Sequence, residues 1–214
     1  MSGLMLCREA KRLYCGALRF DAWKRTWGPA EPLPAEARPV TPREALTWLS
    51  RDGGLRAVPI AVIGPREASA RQLDAAARVG RGLAALGVPL LTGGKGGVME
   101  AASRGAREAG GLTIGFIPDE DWRLGNDHVA IPLATGIGPA RNILIARSAE
   151  ALIAVGGEYG TLSEMAFGMQ FGKPVFSLCD APGVRGVVAC ADPEECIEKV
   201  SAAVLRLPSP APAE

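Results

Sequence analysis

The stretch VPIAVIGPREASARQLDAAARVGRGLAALGVPLLTGG (58–94) decides the fold. Its two ends, VPIAVIG (58–64) and VPLLTGG (88–94), are short apolar runs without a polar face, each closed by glycine. Between them Leu73, Ala76, Gly80, Leu83 and Ala84 fall on one helical stripe, and Gly87 stands where that helix should stop. A strand that is apolar on both faces must be covered on both faces. The strand–helix–strand unit therefore predicts a parallel sheet packed between helices. The alternation continues through strand candidates 112–118, 128–133, 151–157 and 174–180, with a seventh at 187–191. Helices are expected over 69–86, 97–109, 139–149, 160–171 and 193–206. With right-handed crossovers this is an α/β, Rossmann-like three-layer sandwich with a mostly parallel sheet, spanning residues 58–206.

Outward from that core the chain changes character. RLYCGALRFDAWKRTW (12–27) alternates short apolar runs with turn residues and predicts a hairpin or meander. PAEPLPAEARPV (29–40) reads as an extended, proline-rich linker. Thr41-Pro42-Arg43-Glu44 is a capping box with proline at the first helical position, opening a short helix to about Ser50. Residues 1–57 thus form a small N-terminal β-rich extension. At the other end LPSPAPAE (207–214) has too little apolar surface to order itself and is expected to be a disordered tail.

The 214 residues carry 24 Lys and Arg against 23 Asp and Glu. A net charge of +1 offers no general attraction for nucleic acid or an anionic membrane. No apolar run approaches the ~18 residues of a bilayer span, and MSGLMLCREAKR lacks the ~7–15-residue apolar core of a signal peptide. A cytoplasmic location is the expectation. Five cysteines without a CxxC pair read as free thiols; Cys7 and Cys15, with seven residues between them, make a poor zinc pair. His128 is the single histidine and reads as a loop or strand-edge residue. Neither a metal nor a resident cofactor is called for.

Eight of the 27 glycines fall at three strand ends. Gly64 follows the first strand. Gly93, Gly94, Gly96 and Gly97 follow the second, and Gly156, Gly157 and Gly160 follow the fifth. In open α/β sheets ligands bind at the carboxyl ends of strands, and a glycine loop feeding a helix presents backbone N–H groups to an anion. Neither large loop fits the Walker pattern or GxGxxG. Thr161-Leu162-Ser163-Glu164 also reads as a capping box, with Glu164 as a helix cap. Lys95 reads equally as a phosphate contact or a solvated side chain.

Taken together, TGGKGGVMEAASRGAREAGG (92–111), GPARNILIARSAEALIAVGGEYGTLSE (138–164) and FGKPV (171–175) resemble the Lonely Guy family, long labelled "lysine decarboxylase". The resemblance covers about residues 58–180. It implies a phosphoribohydrolase, which splits a nucleoside 5′-monophosphate into free base and ribose 5-phosphate. It casts Arg141 and Glu164, 23 residues apart, as the catalytic pair. It casts Gly157, Gly160 and Thr161 as the phosphate loop. Gly93, Gly94, Gly97 and Met99 become the first nucleotide loop, with Gly64 and Asn142 beside them. It also implies a homodimer. The chemistry agrees: a carboxylate stabilises the oxocarbenium character of a breaking ribosyl bond, and a guanidinium grips phosphate or ribose oxygens. No lysine sits in a motif that would carry pyridoxal phosphate, so decarboxylation finds no support.

Two positions depart from the hydrolase pattern. Glu158 replaces a loop glycine, and Asn142 stands where those enzymes commonly carry a basic residue. The first glycine loop is also short. These features resemble the branch near the molybdenum-cofactor carrier proteins, which bind an anionic pterin without hydrolysing a nucleotide. Two readings therefore stand: a hydrolase acting on an AMP-like nucleotide, and a non-catalytic carrier of a phosphorylated ligand such as the pterin cofactor. A third is a nucleotide sensor that uses residues 1–57 to contact a partner.

Overall fold

In the computed structural model, which describes residues 3–207, the chain divides into two units, 58–200 and 1–57 together with 201–214. The N-terminal unit holds an antiparallel sheet of strands β1 (Leu4–Cys7), β2 (Arg12–Cys15), β3 (Leu18–Asp21), β4 (Thr26–Pro29) and β5 (Arg38–Val40), in the order β4-β3-β2-β1-β5. The first four run as the expected meander. β5 lies inside the segment expected to be a linker. Leu4 pairs with Val40 and Leu6 with Arg38, and Pro39 is accommodated because β5 is an edge strand. Helix α1 (Pro42–Arg51) starts on the Thr41 capping box: Thr41 accepts from the Glu44 N–H, and Glu44 accepts from the Thr41 N–H. Leu6, Leu13, Tyr14, Leu46 and Leu49 are buried. Trp27 packs its ring at a tilt of 57° against Phe20 and donates its indole N–H to the Leu205 carbonyl at 2.7 Å.

The α/β unit carries strands β6 (Ile60–Ile63), β7 (Leu90–Thr92), β8 (Thr113–Ile117), β9 (Ile131–Ala134), β10 (Leu152–Val155), β11 (Val175–Leu178) and β12 (Val188–Ala189). They form one sheet in the order β12-β11-β10-β6-β7-β8-β9, every neighbouring pair parallel. Helices α2 (Ala70–Leu86), α3 (Val98–Glu108), α4 (Asn142–Ser148), α5 (Tyr159–Gln170) and α6 (Pro193–Val204) connect the strands or follow the last. Ile60, Ile63, Leu90, Leu91, Leu152 and Ile153 are all essentially inaccessible, as two-sided coverage demands.

Helix α2 begins at Ser69, which caps the Gln72 N–H, and ends at Gly87 with φ 75°. α2 and α3 cross at backbone contact. A Cβ on Gly80 would run into the Ala102 carbonyl, and one on Gly105 into the Ala77 carbonyl. Beyond shifts of a residue or two at element ends, three boundaries differ from the sequence reading. The strand expected at 128–133 starts at Ile131, because Asn126 ties up the N–H groups of His128 and Val129 in a turn. The helix expected from Pro139 opens as a 3-10 turn, Gly138–Arg141, before α4. Residues 201–206, expected to close the α/β unit, group with the N-terminal unit. Of the disordered tail expected at 207–214, residues 208–214 lie outside the described residues. Among the described residues, no helix is long and apolar enough to cross a membrane.

Candidate functional site

The strand order has one switch point. From β6 the chain steps through β7 and β8 to β9, then returns to place β10 on the other side of β6. The connections after β6 and β10 leave in opposite directions, which opens a crevice at their carboxyl ends. A cavity of about 480 Å³ lies there. Gly64, Pro65, Arg66 and Glu67, which follow β6, form one wall. Glu158, Gly160, Thr161 and Glu164, from the loop after β10 and the first turns of α5, form the other. Met99, Pro118, Pro139, Arg141 and Asn142 complete the lining.

Arg141 and Glu164 meet inside it. Arg141 Nη1 donates to Glu164 Oε1 at 3.1 Å and to Asn142 Oδ1 at 2.9 Å; Nη2 donates to the Gly93 carbonyl at 3.3 Å. Both residues are only 6% exposed. Arg141 Nε is buried and has no acceptor among the protein atoms, which leaves one donor of the guanidinium unsatisfied. Asn142 Nδ2 donates in turn to Ser163 Oγ at 3.0 Å and to the Gly160 carbonyl at 3.3 Å. Asn142 thus ties the arginine to the start of α5 and lines the cavity without being a free basic residue.

Burial pushes the Glu164 carboxyl up to about 7, against the pull of the Arg141 charge. Burial also lowers Arg141, which Glu164 opposes. Between its ordinary value of 4.5 and about 7 the folded chain therefore holds a proton at Glu164 that the unfolded chain releases. The stability from this group is complete below 4.5 and is lost as pH rises toward 7. Urea midpoints for wild type should fall over that interval relative to those of Glu164→Gln, which has no titrating group there. Parallel pH profiles would show that Glu164 ionises in the fold as it does in the open chain.

The residues singled out from the sequence divide cleanly. Gly64, Met99, Arg141 and Asn142 line the cavity, as do Gly160, Thr161 and Glu164. Gly93, Gly94, Gly97 and Gly157 do not. Gly93 lies directly under the Arg141 guanidinium, where a Cβ would overlap it. Gly94 packs on Ile117, Gly97 on the backbone of Pro65 and Arg66, and Gly157 on Thr161. They shape the site from behind.

The helix-cap reading of Thr161–Glu164 is corrected. α5 already starts at Tyr159, with Glu158 at the N-cap and making no side-chain cap bond, so Thr161 is inside the first turn and Glu164 turns inward to Arg141. Both readings of Lys95 are corrected too. Its Nζ donates to Asp119 Oδ2 at 2.7 Å and to the Leu124 carbonyl at 3.0 Å, outside the cavity lining. That ion pair holds the Asp119 carboxyl below its usual range. Arg66 and Glu67 were missed as site residues; their signal was position, directly after a strand-end glycine. Among the described residues no group of three or more His, Cys, Asp or Glu could hold a metal ion.

Residues 57–203 match the SLOG cluster4 family. The chain belongs to that family. An uncharacterized protein of Archaeoglobus fulgidus is 41% identical to this SLOG cluster4 protein over 143 residues, covering 67% of this chain and 94% of the relative. The molybdenum cofactor binding protein of Rippkaea orientalis has a similar structure, with 38% identity and a TM-score of 0.65 over 69% of this chain and 97% of that one. The molybdenum cofactor carrier protein of Chlamydomonas reinhardtii is similar at 38% identity and a TM-score of 0.66, over 71% and 100%. The carrier branch, pointed to by Glu158 and Asn142, is thus among the solved structures that resemble the SLOG cluster4 protein. The family shown is SLOG cluster4, and an exact Lonely Guy assignment is not shown by the match.

Proposed function

We propose that the cavity at the β6–β10 switch point binds a phosphorylated heterocycle, and that this SLOG cluster4 protein is a carrier for a phosphorylated pterin such as molybdenum cofactor. The observation that carries this is the buried, unpartnered Nε of Arg141 beside the first turn of α5. A fixed cationic donor and the free N–H groups of a helix start together suit a phosphate. Arg141 and the Gly160–Thr161 turn would hold that phosphate. The similarity to the two pterin-cofactor proteins supports the choice of ligand. The resting site also suits holding better than cutting. Glu164 is tied up in an ion pair, and Glu158 stands on the wall where the hydrolase pattern has glycine.

One observation favours the phosphoribohydrolase reading. A carboxyl near 7 is poised for proton transfer at neutral pH. One experiment separates the two. The purified protein is given nucleoside 5′-monophosphates and, separately, molybdenum cofactor released from a donor enzyme. The carrier reading expects retained pterin and no free base. Catalytic release of base and ribose 5-phosphate overturns it, and Glu164→Gln should then abolish release while keeping binding. Failure to retain either ligand removes both readings.

Glu158→Gly tests the acidic wall. Removing a like charge near the phosphate should tighten phosphate-ligand binding by about two- to fivefold, the size of a solvent-screened charge contact. Titration calorimetry with the retained ligand measures it, and an unchanged affinity means that Glu158 points away from the phosphate.

A further inference from the structure

A second cavity, of about 290 Å³, adjoins the one at the switch point. Arg66 lines both. Arg104, from the second turn of α3, lines the second alone. Local structure brings the two arginines to one place. The Val98 N–H donates to the Pro65 carbonyl at 3.1 Å. Gly97 packs so closely on the same loop that a Cβ there would strike the Pro65 and Arg66 carbonyl oxygens. The loop that carries Arg66 is thereby pinned to the start of the helix that carries Arg104.

The other arginines of α2 and α3 have acceptors. Arg71 pairs with Asp180, Arg78 with Glu194 and Arg81 with Glu108, and Arg107 donates to the Asp127 carbonyl. Arg66 and Arg104 form no ion pair or side-chain hydrogen bond among the described residues. Glu100, the one carboxylate on this lining, has its Oε2 near Gly96 rather than on either guanidinium. Besides burial, the charge of Arg66 lowers Arg141, so the two cations stand in each other's field. Anionic groups placed on either side of Arg66 would relieve that repulsion. Ala68, Leu73 and Ala101 give the second cavity an apolar side, where the carbons next to such a group can rest.

We propose that the second cavity is a subsite for the distal phosphate of a ligand that carries a pyrophosphate. The proposal rests on the reading of the larger cavity as the site of the first phosphate. Arg66 lies between the two phosphates, and Arg104 holds the outer one through charge-assisted hydrogen bonds. A ligand with a single phosphate fills the larger cavity only.

Amide shifts of the isotope-labelled full-length protein locate each phosphate. AMP should move Gly160 and Thr161 and leave Ala101 and Arg104 in place. ADP should move both pairs and bind about tenfold more tightly than AMP, the size of one added charge-assisted contact. Arg104→Ala should bring ADP to the affinity of AMP without changing that of AMP. Arg107→Ala, on the same helix but outside the cavity lining, should change neither. Inorganic pyrophosphate tests the subsite without a heterocycle: it should move Ala101 in wild type and not in Arg104→Ala. If the nucleotides leave Gly160 and Thr161 unmoved while pyrophosphate still moves Ala101, the phosphate reading of the larger cavity fails and the subsite stands. If ADP moves only Gly160 and Thr161 and binds no tighter than AMP, or if pyrophosphate leaves Ala101 and Arg104 unmoved, the subsite does not exist.

Discussion

Arg141→Ala should destabilise the α/β unit by about 3–5 kcal/mol at pH 8, and ligand binding should be lost with it. The reason is what the alanine leaves behind. Glu164 would be a carboxyl 6% exposed with no counter-charge, costly to ionise, and the Gly93 carbonyl and Asn142 Oδ1 would each lose a donor. The loss should depend on pH in a set direction. Without the guanidinium pulling it down, the Glu164 carboxyl moves further above its already raised position near 7, so at pH 5 it is neutral in the fold and the penalty shrinks. Urea unfolding of both proteins at pH 5 and pH 8 measures this. Adding Glu164→Gln should recover part of the deficit at pH 8. A deficit equal at both pH values, and not relieved by the second change, would mean that Arg141 stabilises by packing alone.

Gly105→Leu should cost roughly 3 kcal/mol, the upper part of the range for overpacking. Even Gly105→Ala should be destabilising, although alanine is the better helix former by about 1 kcal/mol. The sign is set by the crossing of α2 and α3. A Cβ at Gly105 meets the Ala77 carbonyl oxygen and lies 2.8 Å from its carbon, and the reciprocal contact at Gly80 holds the other side. These are backbone atoms, which cannot rotate away. Thermal unfolding compares the two variants; a Gly105→Ala protein more stable than wild type would show that the helices can separate at little cost.

Much of the architecture was legible because a parallel sheet marks its strands by composition alone. Ile60–Ile63 and Leu152–Val155 have no polar face to confuse the reading, and glycine closes both. β5 was hidden because a three-residue edge strand containing Pro39 has no pattern of its own and exists only through its pairing with β1. The site was legible in part. Arg141 and Glu164 lie on separate elements, and the recognised spacing anticipated that they would meet. The cap reading of Glu164 failed because a local pattern competed with a tertiary partner that the pattern cannot contain. Lys95 was misread for the same reason: Asp119 is 24 residues away and nothing near Lys95 announces it.

The way helix α6 is shared has a consequence in time. Its last turn, with Leu205 just beyond it, belongs to the unit built from the first 57 residues, and the Leu205 carbonyl takes the Trp27 indole N–H. On the ribosome, the meander of β1 to β4 emerges before any of the α/β chain. It then waits through the synthesis of residues 58–200 for its final pieces. The unit that starts to be made before the α/β unit is therefore completed after it, and a chain that stalls just past residue 200 carries a whole α/β unit behind a unit that lacks its last segment.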